Sequence, residues 1–275
     1  MVTKSIDLYD YFKISKPNGA NGKLDIYIQK ECTFSDDRLR PAMLVLPGGG
    51  YTHLSDREAE PIALRYLANG FNAFVLYYSV SPSAYPTQFI EGAMALAYIR
   101  LNAKEFSVCP EHVCAVGFSA GGHLAGTLAT KFEDDLIFNA LGENASLVRP
   151  DAVILSYPVI ASNKPYSHEG SFEVLAGKDF FLKEQLSLEN AVNKNSSPAF
   201  IWHTQEDACV PVENSLQMVL AYRKNGVPFE YHVFEKGGHG EALGTLETLY
   251  DNPSVAQWVD LSLTWLKSRG FKIKD

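Results

Sequence analysis

Short apolar runs alternate with segments of helical period along almost the whole chain. Residues 24–29 alternate apolar and polar positions, as an edge strand does. Residues 43–46 form a short apolar run that ends at Pro47-Gly48-Gly49-Gly50. Ser55 and Glu58 have the S-x-x-E spacing of a capping box, which predicts a helix running to about Ala68 and stopped by Asn69-Gly70. Residues 71–78 predict another strand. Ile90, Met94, Ala97, Tyr98 and Leu101 recur at helical spacing and predict an amphipathic helix. Residues 112–116 are apolar and β-prone, and Ala120 to Thr130 is rich in Ala, Gly and Leu, as a helix packed tightly on a sheet would be. Strand-like runs return at 152–157, 199–203 and 229–234. A helix is expected at 213–224, stopped by Asn225-Gly226, and Val255, Trp258, Val259, Trp265 and Leu266 mark a closing helix.

This βαβ repetition implies a mostly parallel sheet with helices on both faces. Neither an internal repeat nor an interdomain linker interrupts it, so residues 1–275 read as one domain. The oversized connection is 158–198, between two predicted strands; a connection of that length is expected to form a short cap over the functional site.

Composition narrows the partners. At 275 residues and 46% hydrophobic, the chain can build one substantial core. A net charge of −8 without a basic cluster argues against nucleic acid or an anionic membrane surface. Residues 1–12 contain no apolar core of a signal peptide, and no run is long enough to span a bilayer, so a cytoplasmic protein is expected. The four cysteines (Cys32, Cys109, Cys114, Cys209) show no C-x-x-C spacing, which speaks against disulfides and structural zinc. Only the general prevalence of symmetric dimers bears on oligomeric state, which makes a homodimer the assembly to test.

The candidate chemistry centres on Gly117-Phe118-Ser119-Ala120-Gly121, a G-x-S-x-G pattern between the 112–116 strand and the small-residue helix. In that setting a serine sits on a tight strand-to-helix turn with its hydroxyl thrust clear of the backbone. A serine hydroxyl needs a base, and the base needs an orienting acid. Both follow in chain order. Asp207 lies just after the 199–203 strand, and His239 lies between Gly238 and Gly240 after the 229–234 strand. All three stand at the C-terminal rim of a parallel sheet, where ligands bind. Asp207 is preferred to its neighbour Glu206, which is expected to face solvent. Of the other histidines, His203 and His232 fall within strands, His112 opens one and His53 lies near the glycine loop. His123, one turn after Ser119, is expected to hydrogen-bond locally, and His168 in the cap to touch substrate. Acyl transfer also needs donors for an oxyanion. The Ala120 N–H is one, and the 48–50 glycine loop supplies the second.

Taken together, the Pro47-Gly48-Gly49-Gly50-Tyr51 loop, the Gly117 to Leu124 elbow, His203 to Asp207 with Val210-Pro211, and Gly238-His239-Gly240 resemble an α/β-hydrolase. More narrowly, they are similar to the esterase/lipase branch near acetylxylan esterases and other carbohydrate esterases. The resemblance runs from about residue 40 to the C-terminus. It implies Ser119 as nucleophile, Asp207 as orienting acid, His239 as base, and Gly49, Gly50 and Ala120 as oxyanion donors. Two departures stand out. Pro47 occupies the place of the usual histidine before the glycines, which leaves the second donor open between Gly49, Gly50 and the Tyr51 N–H. Thr204 replaces the usual glycine after the strand histidine.

The expected activity is that of a serine carboxylester hydrolase removing small, acetyl-like acyl groups from a sugar or similar alcohol, with no metal or organic cofactor. Tyr51, Tyr157, Pro158 and His168 are the expected substrate contacts, with Tyr166, Phe172, Phe180 and Phe181 as further cap aromatics. An amidase or peptidase using the same three residues is the alternative within hydrolases, and a non-catalytic binding scaffold the alternative outside them.

Overall fold

A computed structural model describes residues 2–29 and 39–273; Cys32 lies outside the described residues. Among the described residues eight strands form one sheet: β1 (Val2–Asp7), β2 (Lys23–Ile28), β3 (Arg40–Leu46), β4 (Asn72–Tyr77), β5 (Val108–Phe118), β6 (Ala152–Ser156), β7 (Ala199–Thr204) and β8 (Phe229–Phe234). Their order across the sheet is β1-β2-β4-β3-β5-β6-β7-β8. From β4 to β8 every pairing is parallel; β2 runs antiparallel to both β1 and β4. Helices cover both faces, completing the α/β-hydrolase architecture expected above. These are α1 (Leu8–Phe12), α2 (Glu60–Ala68), α3 (Thr87–Leu101), α4 (Ala120–Thr130), α5 (Asp135–Leu141), α6 (Glu169–Ala176), α7 (Phe180–Gln185), α8 (Glu213–Asn225) and α9 (Trp258–Ser268).

Strand alternation divides the core in two. Leu44, Val113, Ala115 and Ile201 point to the face covered by α3, α4 and α8. Met43, Val45, Val116, Phe200 and Trp202 point to the face covered by α2 and α9. Both sides are apolar because both are covered, which is why the central strands read as continuous apolar runs. Each fully buried aliphatic or aromatic side chain contributes about 1.5–3 kcal/mol, so a core on each face comfortably holds the sheet.

Three sequence expectations are corrected. Residues 24–29 do not form the edge, because β1 pairs outside β2 from Val2↔Ile28 to Asp7↔Lys23. Helix α3 is buried almost all round rather than amphipathic, wedged among the sheet, α4 and α5, while its predicted core position Leu101 is 45% exposed. The capping box does not form. Ser55 makes no side-chain cap bond; a 3-10 turn (Asp56–Glu58) comes first, and α2 begins at Glu60.

The 158–198 connection carries α6 and α7. Phe172 of α6 meets the His123 ring edge-on at 5.4 Å, and Leu188 fills the space beside Gly126 on α4. Among the described residues no helix is long and apolar enough to cross a membrane.

Candidate active site

Ser119 joins β5 to α4 with φ 52° and ψ −116°. That left-handed conformation is strained for a residue with a Cβ and is held only because the surroundings determine it. The surroundings are backbone. A Cβ on Gly117 would lie 2.1 Å from the Gly121 carbonyl oxygen, and one on Gly121 would lie 2.1 Å from that of Leu46. The two glycines of the pattern therefore let β3, β5 and α4 close around the serine. Its own N–H donates to the Ser156 carbonyl on β6 (3.0 Å), and its carbonyl accepts from Val159 (3.1 Å).

Asp207 follows β7 and His239 follows β8, and both reach Ser119. His239 Nε2 is 2.8 Å from Ser119 Oγ, and His239 Nδ1 is 2.6 Å from Asp207 Oδ2. A carboxylate only accepts, so Nδ1 carries the proton and Nε2 is left to accept from the serine hydroxyl. Asp207 Oδ1 accepts from the backbone N–H groups of Cys209 (3.0 Å) and Val210 (2.9 Å). Burial works to raise the Asp207 pKa, but the hydrogen bonds from His203 and His239 outweigh it and hold the carboxyl well below the usual range. Glu206, by contrast, faces solvent and pairs with Lys236 at 2.7 Å.

A cleft of about 320 Å³ opens at these groups, lined by Gly49, Gly50, Ser119, His239 and His168 together with Thr52, His53, Ser55, Arg57, Glu58, Cys209 and Gly240. The glycine loop turns through positive φ at Gly49 (126°), Gly50 (61°) and Tyr51 (61°). Gly48 N–H is committed to Glu58 Oε2 at 2.8 Å. Among the described residues, the N–H groups of Gly49, Gly50, Tyr51 and Ala120 have no acceptor within the protein.

The family profile BD-FAE matches residues 24–221, a span that contains the glycine loop, Ser119 and Asp207. The chain belongs to the BD-FAE family. This BD-FAE chain is 40% identical over 213 residues to endo-1,4-beta-xylanase B of Butyrivibrio fibrisolvens, covering 75% of this chain and 33% of that protein. It is 30% identical to the acetylxylan esterase of Xylanibacter ruminicola over 87% of its own length and 48% of the relative's. It thus spans between about a third and a half of these curated relatives. Among solved structures, an acetyl ester-xyloside bifunctional hydrolase from Caldicellulosiruptor lactoaceticus superposes with a TM-score of 0.82 at 36% identity, covering 98% of this chain and 97% of that one.

Not every expected contact of the BD-FAE site stands in the cleft. His168 does, with Nδ1 2.8 Å from Ser171 Oγ and its ring beside Gly50. Burial, followed by the nearby His239, lowers the His168 pKa. Tyr51, Tyr157 and Pro158 do not line it. Tyr51 is buried, with its hydroxyl 2.9 Å from His123 Nδ1. Tyr157 lies under the His239 ring, 5.0 Å away and edge-on, and donates to Glu58 Oε1 at 2.7 Å. Pro158 packs against Gly122 on α4. Of the cap aromatics, Phe172 is buried, while Phe180 and Phe181 are exposed and meet each other edge-on. His123 does not hydrogen-bond locally as expected: it bridges distant segments, with Nδ1 on the Tyr51 hydroxyl and Nε2–H donating to the Leu186 carbonyl (2.8 Å), and burial lowers its pKa to about 4.

Two residues with no functional reading from sequence stand against this constellation: Glu58 lines the cleft and His203 touches Asp207. Glu58 resembled a helix cap, and His203 a strand residue. His203 Nε2 is 2.8 Å from the Val210 carbonyl and 3.3 Å from Asp207 Oδ2, while its Nδ1 faces Ser215 Oγ at 2.7 Å. The S-x-x-E spacing was the one visible trace of Glu58. Among the described residues no group of three or more His, Cys, Asp or Glu side chains is placed to hold a metal ion.

Proposed function

We propose that this protein is a serine carboxylester hydrolase that removes small acyl groups, acetyl-like in size, from a sugar or similar alcohol. The observation that carries the reading is the continuous Asp207–His239–Ser119 hydrogen-bonded chain, at 2.6 and 2.8 Å, opening into a cleft with unpaired amide donors. His239 takes the Ser119 proton as Oγ attacks the ester carbonyl. The tetrahedral oxyanion rests on the Ala120 N–H and on an amide of the glycine loop. His239 then protonates the departing alcohol, and water activated by the same imidazole releases the acid from the acyl-enzyme. Asp207 stays ionised throughout and holds the ring in the tautomer that accepts from serine.

The cleft supports the substrate class. Its walls carry Thr52, His53, Ser55, Arg57 and His168, groups that pair with hydroxyls. The likeness to an acetylxylan esterase and to an acetyl ester-xyloside hydrolase points the same way.

The test is hydrolysis of p-nitrophenyl acetate, p-nitrophenyl octanoate, an acetylated xylose and an aminoacyl anilide by the wild type and by Ser119→Ala. Acetate release from the ester and the sugar, lost by about 10⁴-fold or more in Ser119→Ala, is the expected outcome. Turnover of the anilide alone would make the protein an amidase, and serine-independent turnover would remove the mechanism.

A further inference from the structure

Glu58 is 3% exposed, and a carboxylate so placed is costly unless its oxygens are matched by donors. Each oxygen has one, and the two donors belong to opposite halves of the site. Oε2 accepts from the Gly48 N–H at 2.8 Å, at the start of the glycine loop. Oε1 accepts from the Tyr157 hydroxyl at 2.7 Å. Gly48 is confined between this carboxylate and the nucleophile: a Cβ there would lie 2.6 Å from Glu58 Oε2 and 3.0 Å from Ser119 Cβ. On the other side, the Tyr157 hydroxyl also accepts from the Ala242 N–H (3.0 Å), just beyond His239, while the Tyr157 ring supports the His239 imidazole. Tyr157 itself sits at φ 37°, a strained conformation that needs such anchoring.

We propose that Glu58 is a positioning residue for acyl transfer, fixing the glycine loop against Ser119 and the tyrosine on which His239 rests. The inference rests on the serine esterase reading. With Gly48 N–H turned onto Glu58, the following amides stay free to face the oxyanion. With Tyr157 fixed, the imidazole keeps its line between Asp207 and Ser119. Both effects act on the transition state rather than on ground-state binding, so they belong in kcat.

The variants are Glu58→Gln and Tyr157→Phe. An amide offers an acceptor on one side and an NH2 donor on the other, so Glu58→Gln keeps the Gly48 N–H bond only by reversing the bond from the Tyr157 hydroxyl, and it removes the charge from both. Tyr157→Phe keeps the ring under His239 and removes only the hydroxyl link. Hydrolysis of p-nitrophenyl acetate is normalised to the serine titrated by a fluorophosphonate, so misfolded molecules do not count. Glu58→Gln is expected to lower kcat per titrated site by about 10- to 100-fold with KM little changed. Its affinity for phenylboronic acid, which forms a tetrahedral adduct on serine, should fall in parallel. Tyr157→Phe should show a smaller loss of the same kind. A role confined to stability would lower the titrated fraction and Tm while leaving kcat per site at the wild-type value, and that result overturns the proposal. If Glu58→Gln does not fold, Tyr157→Phe decides by the same criterion. Ser119→Ala separates the two readings: if it retains turnover, the esterase reading itself fails; if it is inactive while both variants keep wild-type kcat per site, only the role of Glu58 falls.

Discussion

His203 Nε2 stands 3.3 Å from Oδ2 of Asp207, the same oxygen that receives His239. The acid is thus gripped from two sides, and both contacts depress its pKa against the effect of burial. Removing one should let that pKa rise. His203→Ala is expected to lower kcat by about 10-fold, the value of a hydrogen bond to a charged group. Steady-state kinetics of the variant beside the wild type check this; an unchanged kcat would show that His203 does not act on Asp207.

Folding stability should fall in mild acid through His123. Its folded pKa is lowered to about 4 from 6.5 by burial, so the unfolded chain takes up a proton over a range where the folded one does not. Its contribution is complete above about pH 6.5 and declines as pH falls toward 4. Between pH 7.5 and pH 5 the linkage amounts to about 2 kcal/mol. Urea titrations at the two pH values should show that difference, reduced in His123→Gln.

Glycines that look alike in sequence should behave differently. Gly121→Ala drives a methyl onto the Leu46 and Pro47 carbonyls, at 2.1 and 2.4 Å, which cannot yield without lifting α4 from β3. A loss of about 3 kcal/mol or more, with activity abolished, is expected. Gly142→Ala meets no atom within 4 Å and bears only the strain of φ +56°, about 1 kcal/mol. Denaturant midpoints of the two variants test the contrast.

Cys209 lines the cleft and is exposed. Burial of its sulfur and then the Asp207 charge raise its pKa, so the reactive thiolate is scarce near neutrality. A bulky maleimide should therefore inactivate the enzyme slowly at pH 7 and faster at pH 9. Cys209→Ser should hydrolyse p-nitrophenyl acetate normally and resist the reagent. Equal inactivation of Cys209→Ser would place the sensitive thiol elsewhere.

The parts of this molecule that repeat a strong local pattern were legible in sequence. Helix α4 and strand β8 occupy the residues expected, because small-residue helical packing and β-branched or aromatic runs both leave periodic marks. Strand β1 and helices α1 and α5 were missed; they are five to seven residues long, too short for a period to stand out. The positions of Ser119, Asp207 and His239 followed from where strands end, which chain order supplies. The surroundings did not. Tyr51 and Tyr157 lie beside the right loops, yet positive φ turns their side chains into the interior, a direction that residue type does not encode. Glu58 was disguised by satisfying a local rule, the capping box, while its carboxylate served a tertiary one.

The sheet order has a consequence for biosynthesis. Ser119 follows a central strand, but His239 hangs from β8, which among the described residues pairs only with β7, at the rim of the sheet. Residues held along a single edge open more readily than those in the middle. On the reading proposed here, a nascent chain carries its serine nucleophile long before it carries the base that activates it. Ester turnover therefore reports the arrival of β8 and of the loop that carries His239, and serves as a clock for assembly of the site.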